Sequence, residues 1–282
     1  MTLRSNAASQ RAGTLLRWMI PAAALAAISI WLAASPEGAL GKLDAVGYAV
    51  CHRISARSFT IEGRQLPMCA RCTGEFAAAA VAMVFQAWRS GRATRLPSRQ
   101  ILVVLAVFGA AFAVDGLNSF LYLVAQNPGA AAAPPNLYLP NNTLRLITGS
   151  GMGIAMAAML FPLLNQSIWS EPGPNRALGT RDFLVVLAIA SGLDALILSE
   201  HPVILYTAGA LSTIGVLLLL GTAFSVLWIT ALRQENSFQT RRQLWVPAWV
   251  GLTLSLLLIG SIDLLRYRLT GTWGGFPGLT GA

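Results

Sequence analysis

Seven apolar runs, most of them close to the length that crosses a bilayer, leave this chain few alternatives to a helical membrane fold. They fall at about Trp18–Ala34, Thr73–Trp88, Gln100–Ala125, Thr143–Leu164, Asp182–Leu198, Val203–Leu232 and Leu244–Leu265. A transmembrane helix needs roughly 20 mainly apolar residues, and the second run is the short one. Composition agrees: 55% of the 282 residues are hydrophobic and 11% charged, against about 25% charged in soluble domains. The mean hydropathy is +0.60. The expected fold is therefore all-α, with about seven transmembrane helices and a Cys/His loop between the first two. The first run, followed by small residues around Ala33 to Ser35, has the alternative of a cleaved signal peptide. It is long for such a segment, and an uncleaved helix is the preferred reading.

The net charge of +9 comes almost entirely from arginine. No nucleic-acid-binding motif accompanies it, and nucleic acid is not an expected partner. The arginines instead cluster between apolar runs. The N-terminal segment and the loops after the second, fourth and sixth runs hold twelve of them, while the loops after the third and fifth hold no Lys or Arg. By the positive-inside rule the N-terminus faces the cytoplasm of a bacterial inner membrane. The segment from Ser35 to Cys72 then faces outward, although it carries Lys42, Arg53, Arg57, Arg64 and Arg71.

That segment holds all three cysteines and one of the two histidines, as Cys51-His52 and a Cys69-x-x-Cys72 pair. Three thiolates and an imidazole suit a tetrahedral Zn²⁺ site, so Cys51, His52, Cys69 and Cys72 are the expected ligands and zinc the expected cofactor. Flanking arginines and a helix start after the C-x-x-C favour thiolate. Four readings stay open: a structural zinc knuckle in an assembly subunit that docks a membrane-protein partner, a catalytic metal with an open position, a redox C-x-x-C that passes electrons to quinone, and plain packing. An odd cysteine count argues against a disulfide framework, and the second cysteine pair that thiol relays use is absent from the sequence.

The wording of the segment, CHRISARSF followed by GRQLPMCARCTG, resembles the signature of domain-of-unknown-function family 2085, membrane proteins of bacteria and archaea. A second block, Asp115-Gly116 followed by NNTLRLITG from Asn141 to Gly149, is similar to that family's second motif, with Leu117-Asn118 where the family often has Thr-Gln. The resemblance covers about Cys51 to Gly153 and implies kinship without a particular activity.

Glu75, Asp115, Arg145, Asp194 and Asp263 lie inside apolar runs, where ionisable groups are costly and often functional. All five fall in the outer halves of their helices. Either Asp115 pairs with Arg145 as a strut, or Asp115, Asn142 and Arg145 line a polar cavity capped by the cysteine loop. With Arg53, Arg57, Arg64 and Arg71 they form the expected binding set for an anionic substrate such as a lipid phosphate, since guanidinium matches phosphate geometry. His201, beside Glu200, reads as a surface residue, and the GSGMG run from Gly149 to Gly153 as small residues for close helix packing. Trp18, Trp31, Trp88, Trp245 and Trp249 read as interfacial anchors. The expected organisation is 1–34 (N-terminal segment and first helix), 35–72 (cysteine loop), 73–165 (three-helix core), 166–270 (three further helices) and 271–282 (a flexible tail).

Overall fold

Bilayer-length apolar stretches satisfy their backbone groups by forming helices, and the chain does so throughout. The computed structural model describes residues 19, 21–126 and 136–274. The N-terminal segment with Trp18, and the tail beyond residue 274, lie outside them. Eight α-helices follow in order among the described residues: α1 Pro21–Ala34, α2 Gly38–Val50, α3 Ala70–Arg89, α4 Arg99–Ala125, α5 Asn142–Ile168, α6 Thr180–Ile197, α7 Pro202–Ala231 and α8 Trp245–Thr270. Four are long and apolar enough to cross a membrane, namely α4, α5, α7 and α8 with the turn before it. The pair α1 and α2, bent by 106°, makes a fifth if it counts as one broken span. Seven spans are therefore more than these criteria give. The expected helices that fall short are α3, which is rich in alanine and carries Arg71 and Glu75, and α6, with Arg181, Asp182 and Asp194.

α3 is the centre of the bundle. Its alanines at 77 to 80 and 82 are buried, because neighbouring helices approach its backbone closely. A Cβ at Gly149 would fall 2.1 Å from the Arg71 carbonyl oxygen, and one at Gly153 would fall 1.9 Å from that of Glu75. Across the bundle, a Cβ at Gly215 of α7 would meet the Phe76 carbonyl oxygen at 1.9 Å. The GSGMG run thus packs α5 against α3, as small-residue helix contacts do in membranes.

The cysteine segment is more ordered than a loop. It contains α2, a 3-10 turn at Ser55–Arg57 and a short antiparallel hairpin of β1 Thr60–Ile61 and β2 Arg64–Gln65. The hairpin turns through Glu62 and Gly63, both with positive φ, as a two-residue turn between right-twisted strands requires. At the other end of the bundle, β3 Ala93–Arg95 pairs with β4 Gly173–Arg176, and Trp169 bridges to Phe238. Those contacts gather the connections after α3, α5 and α7, with their arginines, at one end. The cysteine segment sits at the opposite end.

Candidate metal centre

Cys51 ends α2, Cys69 is the N-cap of α3, and Cys72 lies in the first turn of α3. This junction brings the three sulfurs together, all within 4.8 Å of one another. Cys51 is buried and Cys69 and Cys72 are half-buried. Two backbone amides, those of Arg53 at 3.4 Å and Cys69 at 3.3 Å, donate to the Cys51 sulfur. Arg53 reaches it from a left-handed backbone conformation, φ +53°. Hydrogen bonding within the cluster separates the thiols. Donation from Cys51 and then Cys72, helped by the Arg71 cation, holds Cys69 well below the usual thiol range. Donating to Cys69 and losing solvent push Cys51 up to about 12.

His52 is exposed and does not belong to the group of sulfurs. Its backbone carbonyl, with those of Tyr48 and Cys51, accepts from the Arg266 guanidinium of α8. Arg266 also stacks over the Tyr48 ring, 4.0 Å from its centroid. This clamp was not among the residues singled out by sequence, since nothing local to Asp263-Leu-Leu-Arg266 marks it.

The four arginines of the segment divide into two sets. Arg53 and Arg64 share Asp44 of α2, at 3.1 Å and 2.7 Å, and Arg53 also donates to the Trp273 carbonyl. Arg57 and Arg71 turn the other way, towards α4. Arg57 donates to the Ser119 carbonyl at 2.7 Å. Arg71 forms a two-nitrogen ion pair with Asp115 and reaches the Ser119 hydroxyl at 3.2 Å. Burial, then the Arg71 cation, lowers the Arg57 guanidinium below its ordinary value.

Asp115 therefore pairs with Arg71, not with Arg145. It also accepts from the Tyr138 hydroxyl at 2.8 Å and the Thr148 hydroxyl at 3.5 Å. Desolvation, then that bond to Asp115, pushes the Tyr138 phenol up to about 12. Arg145 instead donates to Asn142 Oδ1 at 3.0 Å. It is buried, and its Nε has no hydrogen-bond partner. Arg145 still feels Arg57, Arg71 and Asp115 electrostatically. Three guanidiniums thus share one carboxylate, with Cys69 close enough to act on Arg57 and Arg145. Of the other intramembrane acids, Asp194 accepts from Ser150 at 2.7 Å, Asp263 lies on α8, and Glu75, one turn after Arg71 on α3, is close enough to Arg71 and Cys69 to feel both. His201 is exposed at the start of α7.

Comparison with known proteins adds kinship. A curated relative, an uncharacterised protein of the archaeon Methanocaldococcus jannaschii, is 25% identical over 130 residues, covering 46% of this chain and 72% of the relative. No solved structure matches the chain. Residues 51–159 match the family model described as "Predicted membrane protein (DUF2085)". That span contains the sulfur cluster and every member of the Arg71–Asp115 network, and it is over this stretch that the chain is similar to the DUF2085 family of predicted membrane proteins.

Proposed function

We propose that this chain is a multi-pass inner-membrane protein that binds one Zn²⁺ through Cys51, Cys69 and Cys72. The arginine cluster beside the metal takes the anionic group of a membrane-associated substrate. The observation that carries the reading is the convergence of three sulfurs within 4.8 Å. Zn–S bonds of about 2.3 Å in a tetrahedron place sulfurs roughly 3.8 Å apart, a small adjustment from this arrangement. Three thiolates leave one position for His52, water or substrate. The net negative charge of a tris-thiolate zinc is offset by Arg71 and the α3 N-terminus. Arg57, Arg71 and Arg145, with one carboxylate between them, leave a surplus of positive charge for a phosphate, lipid-borne or free. With an open position, the metal would act as a Lewis acid or supply bound hydroxide.

Purified protein is expected to hold about one Zn²⁺ per chain by elemental analysis, lost in a Cys69→Ser/Cys72→Ser variant. His52→Ala should leave the zinc content unchanged if the fourth position is open, and lower it if the imidazole ligates. Metal-free protein with a Cys69–Cys72 disulfide would hand the site to thiol redox chemistry.

A structural knuckle that docks a partner is the second reading. The two amide bonds to Cys51 and its burial favour it, because closed sites of this kind hold a metal without exposing it. Retained zinc with no phosphate-dependent stabilisation, and no response to Arg57→Ala, would decide for it.

We further infer that α3 and α6 also cross the bilayer. α3 has 20 residues, about 30 Å at 1.5 Å per residue, and its burial between α5 and α7 excuses its modest hydropathy. The cysteine end would then face outward. A reporter fused after Arg92 is expected in the cytoplasm and one near Asn136 outside; the opposite signals would invert this topology.

A further inference from the structure

The end of the bundle opposite the cysteine segment carries a groove of its own. A cavity of about 360 Å³ lies between α5, α7 and α8, three of the helices long and apolar enough to cross a membrane. Leu164, Ile168, Ile214, Ile229, Leu244 and Leu252 are in its walls, and Ile214 is half exposed, so the groove opens towards lipid. From Ile214 to Ile229 it follows α7 for about 22 Å, at 1.5 Å per residue. One leaflet contributes roughly 15 Å to a hydrocarbon core of about 30 Å, so an acyl chain can lie in the groove through the whole of its leaflet.

The mouth of this groove is basic. At that end Ile168, Ile229 and Leu244 pack with Trp169 and Phe238, and Arg92 stacks over the Trp169 ring, 4.4 Å from its centroid. Thr240 starts the turn Arg241–Leu244 that leads into α8, and a capping box fixes it. Gln243 Oε1 accepts from the amides of Gln239 and Thr240 at 2.7 Å and 2.9 Å. The turn puts Leu244 in the groove wall, with Arg241 and Arg242 just before it. Both arginines are exposed, and their side chains make no hydrogen bond or ion pair with the described residues. The connection from α7 to α8 holds Arg233, Arg241 and Arg242 against a single acid, Glu235. Trp245 follows, exposed and edge-on to Trp249 with ring centroids 5.3 Å apart. Amphipathic rings of this kind sit at headgroup depth.

We propose that the groove binds an anionic phospholipid, with one acyl chain lying between α5, α7 and α8 and the phosphate held by Arg241 and Arg242. Charge decides between headgroups. Guanidinium forks match phosphate oxygens, and each basic residue at a membrane surface strengthens the hold on an anionic lipid. A zwitterionic headgroup brings an ammonium as well, into a mouth where cations already outnumber the one acid. A helix of a second protein would fill the apolar walls and leave the arginines without an anion. The site is independent of the metal reading, since none of its wall residues is a cysteine of the cluster or one of the arginines beside it.

The test is photolabelling of the full-length protein in nanodiscs, followed by peptide mapping. The probes are phosphatidylglycerol and phosphatidylcholine with the same diazirine-bearing acyl chain, each as a trace in unlabelled phosphatidylcholine. Phosphatidylglycerol is expected to label the wall segments at residues 164–168 and 247–252 at least about fivefold more than phosphatidylcholine does, a factor that two basic residues at a membrane surface can supply. The preference should vanish in Arg241→Gln/Arg242→Gln, two exposed positions, with labelling by phosphatidylcholine unchanged. Ala248→Phe, which puts a ring into the groove from an exposed wall position, should lower labelling by both lipids. Equal labelling by the two lipids in the unaltered protein overturns the proposal, as does a preference that survives the double arginine variant. Labelling by neither, with crosslinks from these segments to a second protein, overturns it in favour of a partner helix.

Discussion

Replacing Gly153 by alanine is expected to cost the protein roughly 3 kcal/mol, at the upper end of what overpacking a well-packed interior costs. The reason is the neighbour that the new methyl meets. A Cβ there would lie 1.9 Å from the carbonyl oxygen of Glu75 and 2.8 Å from the carbon behind it. Both are backbone atoms of a helix, so no side chain can swing aside. α3 would have to retreat from α5 along the whole contact, and α7 holds it from the far side through the approach of Gly215 to Phe76. The control is Gly109→Ala in α4. No atom lies within 4 Å of a Cβ at that position, so helix propensity alone acts and the change should be neutral or stabilising by up to about 1 kcal/mol. Retention of monodisperse protein after heating in detergent measures both. Equal behaviour of the two variants would sink the close-packing account of the GSGMG run.

The second large effect is expected at the ion pair of Arg71 and Asp115. Removing one partner of a buried pair typically costs 3–5 kcal/mol, because the charge left behind is uncompensated. The structure ranks the two deletions. Arg71→Leu leaves Asp115 with the Tyr138 and Thr148 hydroxyls as donors, and with Arg57 and Arg145 as nearby cations. Asp115→Leu leaves three guanidiniums without the carboxylate that Arg57, Arg71 and Arg145 all feel, and only Arg71 retains an acidic neighbour, Glu75. Asp115→Leu should therefore be the more damaging single change, and the double variant should recover a good part of the loss. A cycle of Asp115→Leu with Arg145→Leu should show weaker coupling than the cycle with Arg71→Leu. Additive losses in the Arg71 cycle would mean the pair does not hold α3 to α4.

How far the sequence revealed this arrangement depended on the range of the interactions. Cys51, Cys69 and Cys72 were readable as a cluster because a thiol is rare in this chain and two of the three lie at a ligand spacing. The Gly149–Gly153 run was readable as a packing surface because small residues four apart share a helix face. Asp115 was readable as a buried charge in need of a partner, but the sequence pointed to Arg145. Both sit in apolar runs joined by one connection, while Arg71 looked like a loop residue. Only the fold shows that Arg71 belongs to the first turn of α3, on the side facing α4. α2 was missed for a related reason. Lys42, Asp44 and the glycines at 38, 41 and 47 interrupt the apolar pattern, and the helix turns 106° from α1 so that no bilayer-length run marks it. The division of the arginines between Asp44 and Asp115 follows from that helix, and was out of reach without it.

The Arg266 clamp has a consequence for biosynthesis. The guanidinium that caps the carbonyls of Tyr48, Cys51 and His52 arrives 215 residues after Cys51, in α8, the last helix among the described residues. The cysteine corner is therefore inserted early and finished late. Throughout translation of α3 to α7 its backbone lacks the cation that later fixes it, and the corner takes its final form only once α8 has been made. A protein built this way couples the quality of its cysteine corner to the insertion of the helices up to α8, so that a chain stalled or misinserted before α8 does not present a finished corner.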